Sequence, residues 1–410
     1  MTSTTTATSS FPLLTPQQID TFVRDGLLVV DNFLSPDQIA CSHDGLATTL
    51  ARHGVDVNDL EQTGHNLAAL SSTSGSGGVL DLFYDEWKLN EHIALNPKLF
   101  AWTRQLWKAA YCYWDEHENG SSQTKHTEIR AMKDLPDHEQ FKWHPYGPFD
   151  PDHGGYAYID RLCYRIPTPL SDKIGRRQQQ SSSSSSGFKS SKKNKTLQRS
   201  LTPHLDCCPD TFATATGKSK WRPIQCFVSL TDNLEPNIGG FEAAKGFHRE
   251  FYSWAQRRAP MVVVEDKQTG RTKSISAPCI GEYTHIRPIQ DADVMQRVQH
   301  VPVRAGSVVF WDNRLPHANA YRHMGNTPRV VVYASFLPNI PLNRSYAAQQ
   351  RQQWLQGRTP TDQWIHNNIT QKDGNEQQTA DQAEESAKIH RRFEQLSKFS
   401  RQLLALEEWE

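Results

Sequence analysis

The apolar positions fall into three textures along the chain. Near the N-terminus they are punctuated by helix starts. Thr15-Pro16-Gln17-Gln18 and Ser35-Pro36-Asp37-Gln38 each place a hydroxyl at the N-cap, proline at the first helical position and glutamine at the third. Between them Leu27-Leu28-Val29-Val30 has the continuous apolar character of a short buried strand, so the chain opens helix, strand, helix. Residues 1–10 read as a loose tail. Ser/Gly-rich residues 71–78 read as a loop. Asn96-Pro97 starts a further helix, expected to run through Trp114, with Phe100, Leu106, Trp107 and Tyr111 on one face. Tyr156 to Ile166 alternates as a strand does.

The second texture begins after an interruption. Residues 171–200 hold a glutamine run, Ser181 to Ser186 and a lysine-rich stretch; their only large apolar residues are Ile174, Phe188 and Leu197. So little burial does not offset the entropy of ordering, and an unstructured insertion is expected. Strand-like sequence lies on both sides, so it interrupts one domain, 11–340. Pro223–Leu230, Met261–Glu265, Val301–Val303, Val308–Trp311 and Arg329–Phe336 then read as short strands, with a turn at Gln268-Thr269-Gly270. Many short strands separated by turns argue for a sandwich or barrel. In the third texture, 341–410, helical spacing returns. Ile389, Phe393, Leu396, Phe399, Leu403 and Leu406 form one stripe, expected to pack on the β core as a C-terminal helical extension.

Charge narrows the function classes. Lys+Arg and Asp+Glu both number 45, which gives no basic excess for a general nucleic-acid binder or an anionic membrane surface. No apolar run approaches the ~18 residues of a membrane span. The seven cysteines are odd in number, lack a C-x-x-C and include the neighbours Cys207 and Cys208. That is no disulfide framework; with no signal peptide and no C-terminal peroxisomal signal, a cytoplasmic location is expected.

The chemistry concentrates in four residues. His204-Leu205-Asp206 is the chain's one H-x-D, and positions i and i+2 of a strand share a face. His317 follows the strand-like Val308–Trp311, and Arg329 stands 12 residues beyond it, at the head of Val330-Val331-Val332-Tyr333. Two imidazoles and a carboxylate can hold Fe(II) on one face of an octahedron, leaving the other face open. An arginine buried on a strand requires an anion, and a dicarboxylate supplies one. Further from the centre, Tyr158, Arg161, Tyr164 and Arg165 are pocket candidates. Tyr158 and Tyr164 share parity, as do Arg161 and Arg165, so on one strand only one pair points inward. Trp143-His144-Pro145-Tyr146-Gly147-Pro148 is a candidate lid.

These motifs resemble the phytanoyl-CoA dioxygenase-like family of Fe(II)/2-oxoglutarate oxygenases. Leu201–Asp206 is similar to its first metal motif, Gln225–His248 to its central strand and following turn, and Gly306–Tyr333 to the block carrying the distal histidine and the 2-oxoglutarate arginine. The resemblance spans roughly 11–340. It implies an all-β core with helical additions: a double-stranded β-helix (jelly-roll, cupin-like) flanked by N- and C-terminal helices. It also implies Fe(II) on His204, Asp206 and His317, and 2-oxoglutarate on Arg329 with Asn319 and Gln225 assisting. The activity implied is O₂-dependent hydroxylation of a small molecule with release of succinate and CO₂, ascorbate serving as reductant. An anionic substrate is compatible with the nearby arginines; neither substrate identity nor oligomeric state is specified. Two other readings are a 2-oxoglutarate-binding regulatory protein on the same fold without oxidation, and a zinc hydrolase using the same three ligands.

Overall fold

The computed structural model describes residues 11–409 apart from 74, 113–131, 148, 184–195, 213–217, 259–262, 266–271, 275–281, 361–390 and 393. The expected tail 1–10, the end of the helix expected to run through Trp114, Pro148 of the candidate lid, the start of the strand expected from Met261, the turn 268–270, Phe188 and the stripe residues Ile389 and Phe393 lie outside the described residues.

Both capping boxes form. Thr15 and Ser35 accept from the amides of Gln18 and Gln38, whose side chains accept in return, starting the helices Pro16–Asp25 and Pro36–Arg52. The first helix ends on Gly26, at φ 65°, and a Cβ there would lie 2.5 Å from Nδ1 of His248. Glycine is therefore required twice, by the left-handed turn and by the packed imidazole.

The described strands, in chain order, are β1 Leu27–Val30, β2 Val79–Leu80, β3 Gly155–Tyr158, β4 Leu162–Arg165, β5 His204–Leu205, β6 Ile224–Ser229, β7 Phe241–Ala243, β8 Val263–Glu265, β9 Thr272–Ser274, β10 Thr284–His285, β11 Gln299–His300, β12 Val308–Asp312, β13 His317–Asn319, β14 Arg329–Tyr333 and β15 Ser335–Pro338. One antiparallel sheet runs β1-β12-β6-β14-β4-β2 and a second runs β10-β5-β13-β7-β11; β15-β3 and β8-β9 pair separately. Of the expected all-β jelly-roll with flanking helices, the structure shows the coarser arrangement, a mixed fold of helices and antiparallel sheets. Among the described residues no pairing closes them into a barrel.

The run of apolar residues in the six-stranded sheet reflects burial on both faces. Ile224, Cys226 and Val228 of β6, Val308 and Phe310 of β12, and Val330 and Val332 of β14 join the larger core cluster, under the helices. Their neighbours in sequence, Phe227, Val309, Trp311 and Val331, join a second cluster with Phe241 and Ala243 of the five-stranded sheet. Period-two alternation thus sorts each strand's side chains between a helix layer and a second sheet. Phe241 meets Phe227 at 5.5 Å and Trp311 at 5.2 Å between ring centroids, which locks the two sheets face to face.

Three expectations are corrected. Tyr156–Ile166 is two strands in different sheets, because the chain turns at Ile159-Asp160-Arg161, where the Ile159 amide donates to Gln350. Arg329–Phe336 likewise divides at Ala334, whose amide donates to Cys226 before β15 turns to β3. The segment 171–200, read as unstructured, begins within a helix, Thr168–Ser183. Its few apolar groups are supplemented by polar ties: Ile174 is buried, Lys173 and Arg177 pair with Glu61, and Gln198 bonds the backbone of Tyr164 and Ile166. The central residues 184–195 lie outside the described residues.

The expected C-terminal helix is represented by Pro341–Leu355 and Lys398–Leu403. Leu396, Phe399, Leu403 and Leu406 pack on the larger core, with Phe399 and Trp409 both 5.7 Å from Phe100. The thiols are not all free, since Cys208 is disulfide-bonded.

Candidate metal centre

The centre is built where β5 and β13 lie side by side. His317 is the antiparallel partner of His204, which brings the two imidazoles to 4.4 Å between centroids. Asp206 lies one residue beyond β5. One ligand atom from each of His204, Asp206 and His317 falls within 4.8 Å of the others. Nε2 of His204 is 3.8 Å from Oδ1 of Asp206, and Nε2 of His317 is 3.5 Å from Oδ2. The three residues singled out in sequence therefore converge.

Each imidazole is aimed by its own segment. Nδ1 of His204 lies 2.9 Å from the Thr202 carbonyl, and Nδ1 of His317 lies 2.9 Å from the Leu315 carbonyl. A carbonyl only accepts, so both Nδ1 atoms carry the proton and both Nε2 lone pairs face the centre. Tyr283 stacks on His204 at 4.5 Å, while Trp311 and Phe241 hold His317 at 5.3 and 5.7 Å. Burial, with the neighbouring His317 second, pushes the His204 pKa down to about 3, so it is neutral at physiological pH. Burial alone would raise Asp206. The neighbouring His317 and His204 imidazoles and the Arg222 charge outweigh it and hold the carboxylate well below its usual range. A neutral imidazole at His204 and an ionised carboxylate at Asp206 are protonation states that suit a divalent cation.

The assisting residues take distinct places. Gln225, on β6, donates from Nε2 to Oδ2 of Asp206 at 2.8 Å. Asn319 shares a face of β13 with His317. Its Oδ1 accepts from Nη1 of Arg329 at 2.9 Å, and its Nδ2 donates to the Gly77 carbonyl at 3.4 Å. Arg329 is buried at the head of β14, lies over Phe227 at 5.4 Å and reaches Cys163 Sγ at 3.5 Å. Its Nε has no partner, and no carboxylate pairs with it among the described residues.

A cavity of about 430 Å³ opens on the triad, walled also by Gln225 and Asn319, while Arg329 stands behind Asn319. Tyr158 and Arg161 wall it; Tyr164 packs in the helix-side core and Arg165 donates to the carbonyls of Ala320 and Tyr321. One residue of each parity pair faces the cavity because 156–166 is not a single strand. The candidate lid is corrected: among its described residues, Tyr146 stacks on Trp221 at 4.8 Å, His144 lies 4.4 Å from the same ring, and Trp143 meets Tyr252 at 5.6 Å. None of these three walls the cavity.

Sequence reasoning missed several wall residues. Tyr333 was accessible by parity, since it shares a face of β14 with Arg329; Trp311 had no such reference on β12. Arg222, whose Nη1 donates to Asp160 at 2.9 Å over the Tyr158 ring, carried no local signal. Nor did Glu282 and Tyr283, at the end of an undescribed segment. Among the described residues, no helix is long and apolar enough to cross a membrane.

A family model described as Gig2-like matches residues 202–393, a span that begins just before the H-x-D and contains His317 and Arg329. No curated protein matches the sequence. Among solved structures the chain is similar to GlcNAc Inducible Gene 2, GIG2 (DUF1479), of Candida albicans, with 15% identity, TM-score 0.59 and coverage of 96% of this chain and 77% of that one. It is similar also to a hypothetical protein of Escherichia coli, with 14% identity, TM-score 0.55 and coverage of 96% and 82%. Both likenesses are of fold. The non-heme alpha ketoglutarate dependent carbocyclase SnoK from nogalamycin biosynthesis aligns at 13% identity over 79% of this chain and 84% of that one, with a TM-score of 0.38, too distant to bear on chemistry.

Proposed function

We propose that the chain is an Fe(II)- and 2-oxoglutarate-dependent dioxygenase acting on a small molecule. We relate it, at the level of its motifs, to the phytanoyl-CoA dioxygenase-like family, its two facing sheets being a version of the double-stranded β-helix. The observation carrying this proposal is the joint one: a His-Asp-His triad at a cavity, beside a buried guanidinium with no carboxylate of its own.

The donor set fits the metal. Two Nε2 lone pairs and an ionised carboxylate converge, and both Nδ1 protons are already used by backbone carbonyls. Three protein ligands leave coordination positions for a co-substrate and O₂. The buried Arg329 fits the far carboxylate of 2-oxoglutarate, and Asn319 fixes its orientation. Bound there, Fe(II) with 2-oxoglutarate and O₂ would supply the oxidising power to hydroxylate an unactivated carbon, releasing succinate and CO₂. The chain's own contributions are to hold His204, Asp206 and His317 in one orientation, to pair the co-substrate's charge and to surround the reacting carbon. Trp311, Phe227 and Phe241 exclude water from the inner wall.

The test is conversion of 2-oxoglutarate to succinate by protein loaded anaerobically with Fe(II), then given O₂ and ascorbate. Wild type is expected to turn over slowly without substrate, and Asp206→Ala not at all. Failure of wild type to bind Fe(II), or retention of zinc with no succinate formed, would overturn the proposal. Binding of 2-oxoglutarate without its oxidation, across a substrate screen, would point to the regulatory alternative.

A further inference from the structure

We infer that Gln225 is a positioning residue for the metal centre, fixing which oxygen of Asp206 is presented to the cation. This rests on the metal proposal above and adds to it a device spanning the two sheets. The histidines are aimed locally, each by a carbonyl two residues before it. Asp206 has no such support from β5, which ends at Leu205. A carboxylate torsion at that position is broad and roughly two-fold, so either oxygen could face the centre. The donor that breaks this symmetry comes from the opposite sheet, where Nε2 of Gln225 lies 2.8 Å from Oδ2.

Gln225 is well placed for that task. It is buried, it sits inside β6, and it is in register with Trp311 of β12, whose ring packs on His317. The orientation of its amide is settled by chemistry, because an ionised carboxylate only accepts and the NH₂ must face it. An amide donor stabilises the anion without adding charge and does not compete for the cation. With Oδ2 held by that donor, the rotation of the carboxylate is fixed, so that Oδ1 faces Nε2 of His204 at 3.8 Å and Oδ2 faces Nε2 of His317 at 3.5 Å.

The test compares wild type with Gln225→Met, close in shape but with no donor, and Gln225→Glu, close in shape with an acceptor facing Asp206. Mn(II) affinity is measured by electron paramagnetic resonance titration, and coordination by the visible spectrum of the Co(II)-loaded protein. Loss of an outer partner of a metal ligand typically weakens metal binding 10- to 100-fold. Gln225→Met is expected in that range with an altered Co(II) spectrum, and Gln225→Glu to be weaker still. Thermal melting of the metal-free proteins checks that both variants fold; if Gln225→Met does not, Gln225→Glu decides. Wild-type affinity and an unchanged spectrum in a folded variant overturn this inference alone. Absence of Mn(II) and Co(II) binding by wild type overturns the metal proposal, and this inference with it.

Discussion

Replacing Arg329 by leucine separates an anion anchor from a structural cation. The side chain is 2% exposed, and its described hydrogen bonds go to Asn319 at 2.9 Å and to a sulfur at 3.5 Å. A buried charge so thinly compensated carries a desolvation cost of several kcal/mol. Leucine removes that cost and leaves Asn319 Oδ1 without its donor, a loss of about 1–3 kcal/mol. The metal-free variant is therefore expected to melt at or above the wild-type temperature. A charge-assisted pair with a dicarboxylate is worth about 3 kcal/mol or more, so the variant should bind 2-oxoglutarate roughly 100-fold more weakly. Isothermal titration calorimetry on anaerobic, Mn(II)-loaded protein reads the affinity, and scanning calorimetry reads the stability. A large drop in melting temperature together with unchanged 2-oxoglutarate affinity would refute the reasoning and make Arg329 a structural cation.

Asn319→Ala should leave Mn(II) affinity intact while weakening 2-oxoglutarate binding about tenfold, one hydrogen bond to a charged group, measurable in the same titration. Burial first, and the nearby Arg314 charge among lesser causes, lower the His248 pKa to about 4, against 6.5 unfolded. The unfolded chain then takes up the proton first, so this stability is complete above pH 6.5 and is lost as pH falls towards 4, by about 3 kcal/mol. His248→Gln should flatten that part of the melting-temperature profile relative to wild type; an unchanged difference across pH 4–6.5 would contradict it. Gly26→Ala combines a left-handed residue with a Cβ 2.5 Å from a buried ring and should cost about 2 kcal/mol or more by denaturant titration.

What could be read from the sequence was whatever is fixed locally. The capping boxes at Thr15 and Ser35 have partners three residues away, and the buried strands announce themselves by composition. Where the chain changes partners, local pattern gave no warning. Nothing in Tyr156–Ile166 marks the departure of β3 for β15, and nothing in Thr168–Ser183 reveals Glu61 as partner for its two cations. The strands bearing the metal ligands were legible only through the ligands themselves. β5 has two residues and β13 three, too short for any periodicity to appear. Their ligands were found by residue type and spacing instead.

That contrast bears on how the centre is assembled. Orientation of each imidazole is encoded within two residues, by the Thr202 and Leu315 carbonyls, and survives in any fold that keeps those short turns. Convergence is encoded at long range, by the pairing of His317 with His204, 113 positions apart in sequence, and by the facing sheet that supplies Gln225 and Arg329. Disturbing a local lock should therefore misdirect one ligand while leaving the cavity intact. Disturbing the contact between sheets, at Phe241 against Phe227 and Trp311, should instead loosen Asp206 and Arg329 together. Phe241→Ala would remove a ring from both contacts, at about 3–5 kcal/mol for a buried phenylalanine. If the two sheets act as one unit, Mn(II) and 2-oxoglutarate affinities should fall together in that variant. A fall in one without the other would show that the two halves of the centre are held independently.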